Sequence, residues 1–483
     1  MAKSSGIVAF VQIFQMAFSL LRNKLVALFI GASGFGIWSL FQTFMDMAVS
    51  FSTFGLDQGG VREIAKSSSD KTSTSKCIFA FRVAILSISI IFSIIILCFA
   101  EDISQYIFKT SGYAGGIRIL AITLIFYGIS KGGYAILNGL HALKSLAISQ
   151  VISSVSGSIG AILIIYFCGE NGIPYALSVV IVVSAIITSH YIKKQKIGFT
   201  SLSWVEFRDY VKKLMYLGLG FTIAGIVSTV MTMMSKSYLN LHYDLDTVGI
   251  YQASWTISNL YIGIILSAMG IDFMPRLSKV SSDDTQMNLL INQQIQFGMS
   301  LASIGGTLVL LFSPLILLIL YSSEFVTGVS IIRWQFLGVV LRVVAFPFSY
   351  SIMAKGKPIQ YATIQVIFWI TDYLLLRLFS SVGGFDALGI NYFVAYILYL
   401  LLTCFACVYN HNFRLSKETK KIVLLAMVFI CLFWILCLCL DGIILYIVGM
   451  VLWCIQFYFT NKYINQVMKI DLFKFVKSKL LRK

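Results

Sequence analysis

Charged residues are scarce in this sequence: 12% of its 483 residues are Asp, Glu, Lys or Arg, whereas 58% are hydrophobic. Soluble domains carry about 25% charged residues, so this composition excludes a soluble globular protein. Apolar runs such as 7–21, 77–100 and 422–440 approach or exceed the roughly 20 residues that a helix needs to cross a bilayer. They are too long for the strands of a membrane barrel. We therefore predict an all-α, polytopic membrane protein.

Groups that commonly carry chemistry are also few. The four histidines are scattered, and the nine cysteines fall within apolar runs, so we interpret the cysteines as packing residues and predict no metal site. The chain has no GxxxxGK[ST] phosphate loop. Asp244-Leu245-Asp246 has the DxD pattern of a sugar-nucleotide metal site, but one tripeptide in a short loop is a weak signal. We predict that the protein is not an enzyme and needs no cofactor.

The hydropathy pattern predicts about fourteen transmembrane helices. Lys and Arg concentrate in the segments on the N-terminal side of the membrane, and the opposite loops contain only Lys109. This bias predicts both termini in the cytoplasm. It also explains the net charge of +17 without nucleic acid as a partner. The first apolar run lacks a cleavage site, so we expect it to remain in the mature protein. The predicted spans are 7–30, 37–56, 77–100, 116–138, 146–168, 173–192, 214–238, 248–274, 293–320, 328–354, 360–378, 389–409, 422–440 and 443–461.

Two segments outside the predicted spans have an amphipathic pattern. Residues 204–213 alternate aromatic and charged side chains, which predicts a helix lying in the membrane interface before the seventh span. The tail 462–483 mixes lysines and arginines with Leu and Phe. We predict that the tail is a basic amphipathic cytoplasmic segment that is attracted to anionic membrane lipid.

The second half of the chain repeats the first at a shift of 213–215 residues. Gly36-Ile37-Trp38 matches Gly249-Ile250-Tyr251, and Gln150-Val151-Ile152 matches Gln365-Val366-Ile367. Each repeat contains six spans, an even number, so the two halves enter the membrane in parallel and predict a pseudo-twofold axis along its normal. We predict an N-terminal six-helix bundle (1–200), a C-terminal six-helix bundle (201–412), an appended helix hairpin (413–461) and the tail.

The predicted spans contain nine basic residues but only three acidic ones, Asp46, Asp272 and Asp372. Charges in lipid are costly, so we expect them to face protein or water. Four cations near span ends (Arg82, Arg118, Arg333 and Arg377) are better explained by snorkelling to the headgroups. For the others, one explanation is a structural ion pair with Asp46, and the other is a cationic cavity that holds an anionic substrate. The candidate cavity residues are Arg22, Lys24, Lys131, Lys236 and Arg342, with Asp46 as a counter-charge or coupling site.

Four sequence motifs carry a resemblance to a known family: RNK (22–24), GASGFGIW (31–38), FGLDQGGVREIA (54–65) and LLILYSSEF (317–325). They resemble the lipid-linked oligosaccharide flippases of O-antigen and capsule synthesis, in the multidrug/oligosaccharidyl-lipid/polysaccharide exporter superfamily. The resemblance implies a protein of the bacterial inner membrane that moves an undecaprenyl-pyrophosphate-linked repeat unit from the cytoplasmic to the periplasmic leaflet by alternating access. The candidate cations would then neutralise the pyrophosphate, since the planar fork of arginine suits phosphoryl oxygens. Polysaccharide assembly proteins are a further candidate partner.

Three alternatives stay open on the sequence alone. A drug or metabolic-cation exporter on the same scaffold would require deep carboxylates, but basic residues outnumber acidic ones here. A membrane polymerase or glycosyltransferase would require catalytic groups outside the lipid, and the longest non-cytoplasmic loop is short. Energy-independent scrambling cannot be separated from ion-coupled transport by sequence.

Overall fold

The computed structural model describes residues 2–68, 70–195, 197, 202–381 and 383–468. Within this part, the side chains of 2–10, 216–221, 267–268, 271–272 and 467–468 are not described, so the predicted acid Asp272 lies outside the described side chains. The described residues form helices and connecting turns, without a strand. The α-helices are α1 (Ala2–Thr53), α2 (Leu56–Ser67), α3 (Lys71–Cys98), α4 (Ala100–Phe108), α5 (Ala114–Gly139), α6 (Leu143–Cys168), α7 (Ile173–Lys193), α8 (Trp204–His242), α9 (Leu245–Lys279), α10 (Asp284–Leu320), α11 (Val329–Ala354), α12 (Pro358–Ser380), α13 (Gly384–His411), α14 (Lys417–Cys439) and α15 (Gly442–Met468).

This architecture confirms the all-α, polytopic prediction. Ten stretches of the described residues are long and apolar enough to cross a membrane, and two of them, Val11–Thr53 and Leu143–Lys193, each contain two helical segments. α8 and α9, of 39 and 35 residues, are also long enough to cross a bilayer. The long helical segments therefore follow the fourteen predicted spans in order.

The predicted glycine-rich turn is a break at a single residue. α1 is interrupted only at Gly31, whose φ of 65° and ψ of −169° are not helical. Glycine adopts this backbone without the steric cost that a Cβ atom imposes. Helix resumes at Ala32, whose N–H donates to Glu324 Oε2 at 3.1 Å. A carboxylate at the start of a helix is favoured by the helix dipole, so the break has its own cap.

Two of the sequence motifs meet at this break. Glu324 belongs to LLILYSSEF, and Tyr321 from the same motif packs its ring against Phe35, with 5.4 Å between ring centroids. Both aromatic side chains are buried. Two of the four motifs that carry the family resemblance thus stabilise the same local structure, the point where α1 resumes after Gly31.

Three helical segments differ from the sequence prediction. α2 and α4 are short helices that follow the second and third spans and were not predicted separately. The predicted helix over 204–213 is helical in the structure, where it continues into the seventh span as the first part of α8, and its position in the membrane interface stays a prediction. No Gly or Pro between Trp204 and Lys213 interrupts the helix. Its start is fixed by a capping box between Ser203 and Glu206.

Glu206 also ties the start of α8 to α3. Its carboxylate accepts a hydrogen bond from Lys76 Nζ at 2.6 Å, and it accepts a second from the Ser203 backbone N–H at 3.0 Å. These bonds stabilise the ionised form and lower the pKa of Glu206 to about 2. The attachment is therefore complete at neutral pH and is lost only as the pH falls from about 4.5 toward 2.

The helices pack into two units. Unit 1 is Met1–Gln252 with Leu320–Glu324, and unit 2 is Ala253–Ile319 with Phe325–Lys483. A core in unit 1 joins α2, α3, α5 and the start of α8 through residues such as Phe81 and Leu214. The core of unit 2 runs from α9 to α15 and includes Phe336 and Phe433.

The division into two packing units neither supports nor contradicts the predicted functional domains. α8 packs on α1 and α2, which places it in unit 1, whereas the repeat assigns it to the second bundle. The predicted boundaries at 200, 412 and 461 and the pseudo-twofold axis stay predictions. α14 and α15 pack on each other, and the predicted appended hairpin over 413–461 stays a prediction. Residues 469–483 of the predicted basic tail lie outside the described part of the chain.

Inside unit 1, residues that the repeat makes equivalent contact each other. A Cβ atom on Gly36 would overlap the Leu245 carbonyl oxygen, and one on Gly249 would overlap the Ala32 carbonyl oxygen. Ser39 and Gln252, also 213 residues apart, are hydrogen bonded at 3.3 Å. The second half of α1 and the first turns of α9 therefore cross backbone to backbone, in a reciprocal contact that only glycine permits.

Candidate functional site

The second half of α1 presents a row of polar side chains. Ser39, Gln42 and Asp46 are spaced by three or four residues, and Thr43 is four residues after Ser39 and three before Asp46, so the four lie on one side of the helix. Gln42 accepts a hydrogen bond from the Trp38 indole at 3.1 Å, and Thr43 donates to the Ser39 carbonyl oxygen at 2.8 Å. This face places the one acidic residue of α1 among neutral hydrogen-bonding groups.

Lys236 on α8, which also belongs to unit 1, contacts this face of α1. Its side chain is buried, with 4% of its surface exposed, and its Nζ donates to Thr43 Oγ1 at 2.5 Å. Asp46 lies close enough to Lys236, and to Lys131 of α5, for their charges to interact. The structure thus brings three of the predicted residues into one cluster, which we call the α1 charge cluster: Asp46, Lys131 and Lys236.

The cluster contains both buried and accessible groups. Lys131 and Asp46 are exposed, whereas Lys236 is not. Lys131 Nζ lies 5.7 Å from the centroid of the Tyr127 ring, a cation–π distance. With two ammonium groups and one carboxylate, the cluster has a net charge of about +1 when all three groups are ionised.

Arg22 is held by an aromatic ring rather than by an acid. Its guanidinium carbon lies 5.6 Å from the Trp38 ring centroid, and its Nη2 donates to Ser19 Oγ at 3.3 Å. Its Nε is buried and has no hydrogen-bond partner among the residues that the structure describes. Trp38 also connects to Gln42, so Arg22 lies at the edge of the same polar face. Lys24, two residues on, is half-buried, and no contact places it in the cluster.

Arg342 occupies a separate setting in unit 2. Its Nη1 donates to Asn259 Oδ1 at 3.0 Å and to Tyr392 Oη at 3.5 Å, and its guanidinium lies 5.9 Å from the Tyr396 ring. Every one of these partners is neutral at pH 7. These partners orient the guanidinium but do not neutralise its positive charge, and we call Tyr392 and Tyr396 its aromatic cage.

Several residues of these sites were not found from the sequence. Thr43 and Tyr127 in unit 1, and Asn259 and Tyr392 in unit 2, are ordinary polar or aromatic residues in apolar helices, and only the fold brings them to a cation. Asp372 was noted as a span-embedded acid, but its partner was not predicted. It is buried on α12 and accepts a hydrogen bond from Asn391 on α13 at 2.8 Å.

The cations near span ends have mixed environments. Arg118 forms an exposed ion pair with Glu101 at 2.8 Å, and Arg333 donates to the Cys437 carbonyl oxygen at 3.0 Å. Arg377 lies 6.0 Å from the Tyr373 ring. Snorkelling of these side chains stays a prediction, because no bilayer position is defined by the contacts.

An all-helical, polytopic fold with cations embedded in its spans is the setting of a membrane transporter, and the flippase and transporter relatives below assign the chain to that class. The comparisons with known proteins agree. Residues 1–281, more than half of the chain, match the family described as polysaccharide biosynthesis protein. The chain belongs to this family.

Relatives and solved structures give the same picture. The chain is 23% identical over 413 residues to the Lipid III flippase of Escherichia coli K12, covering 84% of this chain and 97% of that protein. Its fold is similar to that of the Lipid II flippase MurJ in an inward closed conformation, with a TM-score of 0.74, 15% identity, and coverage of 95% of this chain and 99% of that one. A multidrug resistance MATE transporter of the MOP superfamily follows at a TM-score of 0.69 and 17% identity, with coverage of 82% of this chain and 96% of that one. These findings confirm the resemblance drawn from the sequence motifs.

Proposed function

We propose that this protein is a flippase that moves an undecaprenyl-pyrophosphate-linked oligosaccharide repeat unit from the cytoplasmic to the periplasmic leaflet. It works by alternating access through a cationic central cavity formed by two parallel six-helix bundles. It lies in the bacterial inner membrane with both termini in the cytoplasm. The family and the similarity to a protein named Lipid III flippase support a lipid-linked substrate.

The observation that carries the proposal is the composition of the α1 charge cluster. The cluster contains two ammonium groups, Lys131 and Lys236, and one carboxylate, Asp46, so its charges leave one positive charge in excess for an external anion. A pyrophosphate bears negative charge that hydrocarbon cannot accommodate. An exposed ammonium such as Lys131 supplies the compensating charge while the lipid tail remains in the bilayer.

Arg22 and Arg342 add to this support. Both are span-embedded guanidinium groups whose partners are neutral hydroxyl, amide or aromatic groups. A structural arginine in a membrane is normally paired with an acid or with backbone carbonyls. A guanidinium oriented by neutral groups is instead suited to donate two hydrogen bonds to phosphoryl oxygens. Lys24 is assigned to the entrance of the cavity, and Asp46 to counter-charge or coupling.

Arg22→Ala and Lys131→Ala test the proposal. Each variant should abolish export of the repeat unit, with lipid-linked units accumulating in the cell, while the amount of protein in the membrane stays at the level of the unmodified chain. Lys144→Ala is the matched control, since Lys144 is an exposed lysine at the start of α6 and should be silent. Normal export in both test variants would refute the assignment of these cations.

The second candidate is an ion-coupled exporter of drugs or metabolic cations. It is favoured by the fold shared with a MATE multidrug transporter and by the exposed carboxylate of Asp46. Drug susceptibility separates the two functions. Deletion of an exporter lowers resistance and leaves lipid-linked oligosaccharide at its normal level, whereas deletion of the flippase causes that lipid to accumulate.

Two further partners belong to the proposal. The basic segment 462–483 would bind anionic membrane lipid, and polysaccharide assembly proteins would receive the translocated unit. We propose no nucleic-acid partner.

A further inference from the structure

A groove on unit 1 lies apart from the α1 charge cluster. α3 and α7 each pack on α5, and a cavity of about 220 Å³ lies among the three helices. It is located where α5 and α7 approach their C-terminal ends and in the first half of α3. On the predicted topology this is the cytoplasmic end.

Glycines of α5 make the floor of the groove. Gly128, Gly132 and Gly133 line the cavity, and a Cβ atom on Gly132 would have no neighbour nearer than 3.5 Å. A Cβ on Gly133 would overlap Thr188 of α7, so α7 approaches α5 closely beside the open space. The remaining apolar walls are four isoleucines and one leucine. The groove is thus narrow, smooth and apolar along most of its length.

Two cations line the same cavity. Arg82 of α3 and Lys193, the last residue of α7, are its charged residues, and no acid joins them. No hydrogen bond or ion pair links either side chain to another residue in the part of the chain described by the structure. Ser189 adds a hydroxyl group to the lining of the cavity.

We propose that this groove binds an anionic phospholipid of the surrounding membrane. The phosphate would lie between Arg82 and Lys193, and the upper part of one acyl chain would lie over the α5 glycines. A cavity of about 220 Å³ has room for a phosphate and a few methylenes. Basic pockets between transmembrane helices on the cytoplasmic side are suited to anionic headgroups. The inference does not depend on the transported substrate.

Native mass spectrometry of the purified full chain with added phosphatidylglycerol tests the site. We expect preferential binding of phosphatidylglycerol over phosphatidylethanolamine. The double variant Arg82→Gln/Lys193→Gln should weaken phosphatidylglycerol binding about tenfold or more, because each charged hydrogen bond to phosphate is lost. Ser189→Leu, which keeps both cations and fills the cavity, should weaken it as well.

Lys194→Gln is the matched control. Lys194 is an exposed lysine next to Lys193, but its Nζ lies 5.0 Å from the Tyr191 ring and it does not line the cavity. This variant should bind phosphatidylglycerol like the unmodified chain. Any variant that elutes as an aggregate is replaced by the single change Lys193→Gln, which alters an exposed side chain.

Three results would overturn the inference. The first is unchanged phosphatidylglycerol binding in the double variant and in Ser189→Leu. The second is displacement of phosphatidylglycerol by millimolar inorganic phosphate, which would show a phosphate site without a role for the lipid. The third is preferential binding of a short polyprenyl phosphate at the same residues, which would assign the groove to the substrate lipid.

Discussion

Replacing Lys236 with methionine separates a structural ion pair from a functional charge. Lys236→Met keeps the apolar stem in place and removes only the ammonium. Thr43, its hydrogen-bond partner, still donates to the Ser39 carbonyl oxygen at 2.8 Å and so stays satisfied. Asp46 is exposed and retains Lys131 nearby. We expect the free energy of unfolding to change by no more than about 1 kcal/mol, since removing a buried charge also removes its desolvation cost.

The effect on transport should be much larger. Without Lys236 the α1 charge cluster loses its net positive charge. One unit charge about 7 Å from a phosphate charge contributes about 2.4 kcal/mol at an effective dielectric constant of about 20, which corresponds to roughly 50-fold in affinity. Lys236→Arg, which keeps the charge, should retain most of the export.

Thermal unfolding of the purified protein and export of repeat units in cells are the two measurements. A structural role predicts the opposite pattern, because breaking a buried pair by removing one partner costs about 3–5 kcal/mol. A large loss of stability with normal export would therefore refute the role we give to Lys236.

Three further predictions follow from the packing. Gly36→Ala and Gly249→Ala should each destabilise the protein by about 1–3 kcal/mol in thermal unfolding, and together by less than the sum, because both open the same helix crossing. Gly115→Ala is the control and should be neutral or stabilising, because a Cβ atom there meets nothing within 4 Å. Additive losses of stability from Gly36→Ala and Gly249→Ala would contradict the geometry of the crossing. Arg342→Lys should lower stability by about 1–3 kcal/mol, because an ammonium cannot reproduce the planar contacts of the cage, and an unchanged unfolding temperature would show that the cage does not hold it. Glu206→Gln should leave export unchanged at pH 7, since its hydrogen bond with Lys76 is exposed, whereas a loss of export would give the start of α8 a role that we do not assign.

The sequence predicted the helices well because hydropathy and length report directly on membrane spans. The glycine-rich motif predicted a turn, whereas the observed interruption of α1 covers Gly31 alone. The helix resumes at the next residue, where Glu324, almost 300 residues away in the sequence, caps Ala32. The helix predicted over 204–213 is present and runs on into the seventh span, since an amphipathic pattern alone does not mark where one helix ends and the next begins.

The sequence predicted the site only as a set of charged residues whose burial in lipid costs free energy. Hydropathy identifies Lys236 and Asp46 as unusual, but it does not specify which helix faces meet, so Thr43 and Tyr127 could not be found. The repeat paired Gly36 with Gly249 as equivalents, and their direct contact could not be inferred from equivalence alone. Whether the six predicted residues form one substrate site stays a prediction.

Reconstitution tests the central claim most directly. The purified chain is inserted into liposomes that contain a fluorescent undecaprenyl-pyrophosphate oligosaccharide, and the fraction of sugar reached by a membrane-impermeant glycosidase is followed with time. The account predicts sugar exchange between leaflets that is fast with the unmodified chain, near the protein-free background with Lys131→Ala, and normal with Lys144→Ala. A rate for the unmodified chain no higher than that of empty liposomes, or an equal rate for Lys131→Ala, would contradict it.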